Sequence, residues 1–139
     1  MSKDKEPSDQ LTRDYGTILR ESAILTSFAG FLFGFLIIVS INSANSFIFA
    51  NKIILLVAIS SITVSISLFI MPVIYHHLEY PYIDLEKFKK RSHRFTLYGL
   101  VPAMLTLFLG IELAMTSLLG SNIEAYLLGT IPFILVGLF

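Results

Sequence analysis

Ala23–Ile41 reads AILTSFAGFLFGFLIIVSI and contains no charged residue. About 20 such residues cross a hydrocarbon core roughly 30 Å thick as a helix, so this stretch has the length of a transmembrane span. Outward from it, no charge occurs between Glu21 and Lys52. Three more apolar windows follow: Ile53–Tyr75, beginning near Phe47; Phe95–Leu119, interrupted only by Glu112; and Ala125–Phe139. The last would cover only about 22 Å at 1.5 Å per residue, so it is a short span or borrows residues from the Asn122 side. The sequence thus predicts an all-α integral membrane protein with four transmembrane helices. Composition agrees: of 139 residues, 55% are hydrophobic and 14% charged, and the mean hydropathy is +0.76. A water-soluble domain of this length cannot bury so much apolar surface.

Ten basic and ten acidic residues cancel, which argues against a nucleic-acid partner, but they are unevenly placed. Lys3, Lys5, Arg13 and Arg20 precede the first window, and Lys87, Lys89, Lys90, Arg91 and Arg94 lie between the second and third; the opposite connections hold only Lys52. The positive-inside rule therefore places the 1–21 tail and the 76–94 loop in the cytoplasm, and an even number of spans returns the C-terminus there. Tyr75, Tyr80, Tyr82 and Tyr98 gather near that interface, with Tyr126 near the other. The expected organisation is a partly disordered tail over 1–21, its first 12 residues irregular around Pro7, and one four-helix domain over 22–139. The location is a multi-pass cell-membrane protein in contact with the lipid bilayer. The first apolar stretch exceeds the 7–15 residues of a signal-peptide core, which favours a retained span.

Within the first span, Ser22, Thr26, Gly30 and Gly34 recur every four residues. A row of small side chains lets another helix approach closely, within one bundle or between subunits. Arg20, Ile24, Ser27, Phe28, Phe31 and Phe35 recur at spacings of three and four. Around an axis they would form a basic ring with phenylalanine rings above it, an apolar constriction able to block ions by dewetting; otherwise the phenylalanines face lipid or fill the core.

Glu112 lies about 25 Å along its helix from Phe95. A carboxylate facing lipid costs a few kcal/mol or more, so Glu112 should face protein or water, be protonated, or pair with a donor. Ser60, Ser61, Thr63, Ser65 and Ser67 of the second span are the candidate donors, and an ion or proton site competes with a plain hydrogen bond between helices. Pro72, Pro102 and Pro132 each remove a backbone donor inside a span and are candidate hinges. Asp84 can cap a helix start, and the basic run after it extends the third span, with anionic lipid binding as one use and orientation as the other. His76 and His77 are adjacent and point apart, so a metal site completed by His93 has poor geometry. There is no cysteine, and no phosphate loop, catalytic triad or carboxylate pair; no enzyme, cofactor or metal is expected.

Arg20-Glu-Ser-Ala-Ile-Leu-Thr-Ser-Phe-Ala29 resembles the start of the pore helix of the Orai calcium channels, R-T-S-A-L-L-S-G-F-A. In order along the chain, Phe69-Ile-Met-Pro-Val-Ile74 resembles the proline-containing end of that family's second span. His93-Arg94 resembles its H-R-H, Leu107-Phe-Leu-Gly-Ile-Glu112 its L-F-L-A-E, and Pro132 matches the bend of its fourth helix. The chain also resembles small uncharacterised prokaryotic four-span membrane proteins. The Orai resemblance implies a homo-oligomeric ring, six subunits in that family, with first helices lining a pore for a permeant cation such as calcium. Arg20 would take the basic inner position, and Ser27, Phe28 and Phe31 the hydrophobic gate. The family's external glutamate ring falls at Phe35, which offers no oxygen to a divalent cation. The competing expectations are a proton-coupled small-molecule transporter using Glu112, and a non-transporting membrane scaffold subunit.

Overall fold

The computed structural model describes residues 5–43, 45–79, 84–120 and 123–138, and among these the regular structure is entirely helical. Four helices follow one another: α1 (Lys5–Ser43), α2 (Phe49–Glu79), α3 (Leu85–Leu119) and α4 (Ile123–Gly137). The first three are each long and apolar enough to cross a membrane. At 1.5 Å per residue, α4 covers about 22 Å, less than a full hydrocarbon core.

One boundary differs from the sequence expectation and another agrees with it. The tail expected to be irregular is helical from Lys5 onward. Pro7 falls in the first turn, where its missing N–H would have had no intrahelical acceptor, so it does not break the helix. The basic run does extend the third span, as expected: α2 continues to Glu79 and α3 starts at Leu85. Asp84 is the reason for the early start: in extended conformation, its side chain accepts from the Lys87 backbone N–H at 3.0 Å, satisfying one of the orphan donors of the first turn. At the other end Gly120 adopts φ 82°, a backbone that glycine enters without a Cβ penalty, and α3 stops.

α2 lies between α1 and α3, α1 also touches α3, and α4 packs on α3. Ala29 and Leu36 of α1, Leu55, Ala58, Ile62 and Phe69 of α2, and Ala103 and Leu113 of α3 form the core. α2 and α3 pack tightly at Gly99: a Cβ there would stand 2.6 Å from Cε1 of Phe69 and 3.3 Å from Cβ of Leu68. Two hydroxyls tie the same pair of helices. Ser65 donates to the Gly99 carbonyl at 2.9 Å, and Thr106 lies 3.2 Å from the Ala58 carbonyl and 2.9 Å from that of Pro102. Pro72, Pro102 and Pro132 all lie inside helices, so the carbonyls of Leu68, Tyr98 and Leu128 lack their usual donor four residues on.

Candidate functional site

The sequence singled out one face of α1, and the structure leaves that face uncovered within the chain. Arg20, Ile24, Ser27, Phe28, Phe31 and Phe35 are all exposed, Phe31 at 81%. Helical geometry explains this. At about 100° per residue these positions gather on the side opposite the buried stripe of Ser22, Ala29 and Leu36. The Ser27 hydroxyl donates to its own helix, to the Ala23 carbonyl at 2.9 Å.

The row of small residues does not form one packing face inside the chain. Residues four apart advance about 40° around a helix, so a four-residue repeat spirals away from its starting face. Ser22 is buried, Thr26 is half-buried, and a Cβ on Gly30 or Gly34 would meet nothing within 4 Å. Among the described residues, the close approach that GxxxG permits is therefore not made by another helix. Beside this face, Phe35 and Leu36 of α1 and Gly110, Leu113 and Leu118 of α3 line an apolar groove of about 270 Å³.

Glu112 is 5% exposed. Four of the five candidate hydroxyls of α2 are bonded elsewhere: Ser60, Thr63 and Ser67 donate to the carbonyls four residues before them, and Ser65 donates to Gly99. A hydroxyl near a helical backbone takes the local carbonyl first, which withdraws it from distant acceptors. The carboxyl group sits instead against α4. A Cβ on Gly129 would lie 2.8 Å from Cδ and 2.9 Å from Oε2 of Glu112. Oε2 is buried and has no hydrogen-bond partner among the described residues. The Ser22 and Ser92 hydroxyls are in the same condition. Farther along α4, the Tyr126 hydroxyl lies 3.4 Å from Oδ1 of the buried Asn51 on α2.

A second cluster, absent from the sequence reading, joins three helices at the edge of the apolar windows. The Tyr15 hydroxyl is hydrogen-bonded with the His76 ring, 2.6 Å from Nδ1. The Tyr15 ring also meets that of the fully buried Phe88, and Tyr75 stacks on Phe88 at 5.8 Å with planes 7° apart. Arg91 donates to the Tyr75 hydroxyl and lies over its ring, and Lys89 pairs with Asp14. The sequence signal for this clasp was aromatic residues recurring among the charges on both sides of Asp84. His77 lies beside His76, with ring centroids 5.1 Å apart. Among the described residues no group of three His, Cys, Asp or Glu side chains is placed to hold a metal.

No curated protein and no solved structure matches the chain. Residues 4–139 match the profile of one family, so the all-helical chain with its open α1 face and α4-covered carboxyl belongs to DUF6328, a family of unknown function.

Proposed function

We propose that copies of this chain close into a ring in the cell membrane and form an ion channel of Orai-like architecture, with α1 lining the pathway. The observation that carries this reading is the uncovered α1 face, where Arg20, Ile24, Ser27, Phe28, Phe31 and Phe35 run along one side. Gly30 and Gly34 are open beside it. Small residues at the flank let neighbouring copies of α1 approach, and the phenylalanines then form the dewetting constriction. In this reading α4 completes four spans. Both termini and the 76–94 segment are cytoplasmic, as the distribution of Lys and Arg favours. Six subunits and a cation, calcium included, are what the resemblance adds. Phe35 in place of a filter carboxylate argues for weak selectivity among cations.

Reconstitution into liposomes tests this. The channel reading expects ion flux, a closed ring centred on α1, and higher flux in Phe31→Ser. A monomer or simple dimer, or flux unaffected by that substitution, would overturn it.

The second reading is a proton-coupled transporter, supported by the burial of Glu112 and the unpartnered Oε2, since intramembrane acids serve proton relays. Glu112→Gln would then abolish coupled uptake without altering assembly.

A further inference from the structure

The basic residues at the start of α3 are arranged around the helix in a way that orienting the chain in a membrane does not require. At about 100° per residue, Lys87, Lys90, Arg91 and Arg94 all fall within an arc of about 100°. All four are exposed. Phe88, Ser92 and Thr96 of the same helix are buried on another side, toward the bundle. Continued along the helix, the basic arc runs into Tyr98, Val101 and Leu105, which are also exposed, Tyr98 at 65% and Val101 at 70%. One strip of α3 is thus cationic for two turns, then carries a tyrosine, then is apolar.

This order matches the layers a bilayer presents: headgroup, interface and hydrocarbon. The seven residue steps from Lys87 to Arg94 rise about 10 Å, a little more than the polar layer on one side of a bilayer. The charges are also available. No acid neutralises Lys87, Lys90 or Arg94 among the described residues, whereas Lys89, on a different side of the helix, pairs with Asp14. Arg91 is held by the Tyr75 hydroxyl, and Tyr75 is fixed in turn by stacking on Phe88. A planar guanidinium held in this way presents its remaining N–H groups in a fork suited to phosphate oxygens.

We propose that this strip is a binding site for anionic phospholipid: Arg91 and Arg94 take the phosphate, Lys87 and Lys90 supply further positive charge, and the acyl chains lie along Val101 and Leu105. The occupant is a bilayer lipid rather than free phosphate, because the apolar continuation of the strip has no counterpart in an inorganic ion.

Native mass spectrometry of the detergent-purified protein, titrated separately with phosphatidylglycerol and phosphatidylcholine, tests the site. The expected result is preferential retention of phosphatidylglycerol. The triple variant Lys87→Gln, Lys90→Gln, Arg94→Gln should weaken phosphatidylglycerol binding on the order of 100-fold, at about fivefold per charge, and leave phosphatidylcholine binding unchanged. Lys89→Gln, which removes a charge from another side of α3, should keep the preference. Equal retention of the two lipids by the native protein would overturn the site, as would an equal loss of preference in Lys89→Gln or competition by inorganic phosphate at the lipid's own concentration. Circular dichroism establishes that each variant is folded. If the Gln triple unfolds, Arg94→Gln alone takes its place, with an expected loss of about fivefold.

Discussion

The carboxyl group of Glu112 occupies the space that a side chain on Gly129 would need: a Cβ at that position would lie 2.8 Å from both Cδ and Oε1. α4 therefore rests on a buried acid of α3, and the glycine is what permits the close approach. Oε2 of Glu112 is buried and has no hydrogen-bond partner among the described residues.

Gly129→Ala should destabilise the protein by about 1–3 kcal/mol, the usual cost of overpacking a filled site. In a Glu112→Ala background the same change should cost under about 0.5 kcal/mol, because the competing carboxyl is gone. Thermal unfolding of the four proteins in detergent measures the cycle. Additive effects would mean that the two residues do not share this space.

At the crossing of α2 and α3, Gly99→Ala would place its methyl group against the ring of buried Phe69. The expected loss is again about 1–3 kcal/mol. Ser65→Ala, which removes the hydroxyl donating to the Gly99 carbonyl, should cost only about 0.6 kcal/mol, as hydrogen bonds between membrane helices usually do. Denaturation of each variant in mixed micelles checks the ranking.

Gly30→Leu and Gly34→Leu fill open space, so the fold of each chain should tolerate them, with stability changed by about 0.5 kcal/mol or less. If these glycines serve contact between copies, as the channel reading requires, the same variants should shift the protein toward monomers in cross-linking and mass photometry. An unchanged oligomer would remove α1 from the subunit interface.

Phe31→Ser tests the gate without disturbing the bundle, because Phe31 is among the most exposed side chains of α1. Liposome flux should rise in this variant, with thermal stability in detergent close to that of the native chain.

The long apolar helices were legible because their signal is local. A charge-free run such as Ala23–Ile41 needs no tertiary information to be recognised, and the capping by Asp84 depends only on a carboxylate placed three residues before an N–H. The surroundings of Glu112 were not legible in the same way. Five hydroxyls in α2 were reasonable partners by composition, but four of them are spent on backbone carbonyls. The residue that meets the acid is a glycine, whose contribution is the absence of a side chain. The clasp of Tyr15, His76 and Phe88 was hidden for a related reason: Tyr15 lies 61 positions or more from both of the others in sequence.

The sequence by itself determined that three helices are long and apolar, and it picked out the face of α1 carrying Phe28, Phe31 and Phe35. The tertiary structure alone decided how each helix is rotated and which faces are covered. The physical reason is the solvent: lipid tails are as apolar as the side chains of a core, so burial leaves only a weak periodic mark on a membrane helix. Rotation is decided instead by where backbones can approach, as at Gly99 and Gly129, and by where polar groups find acceptors. Those relationships exist only once the helices are packed.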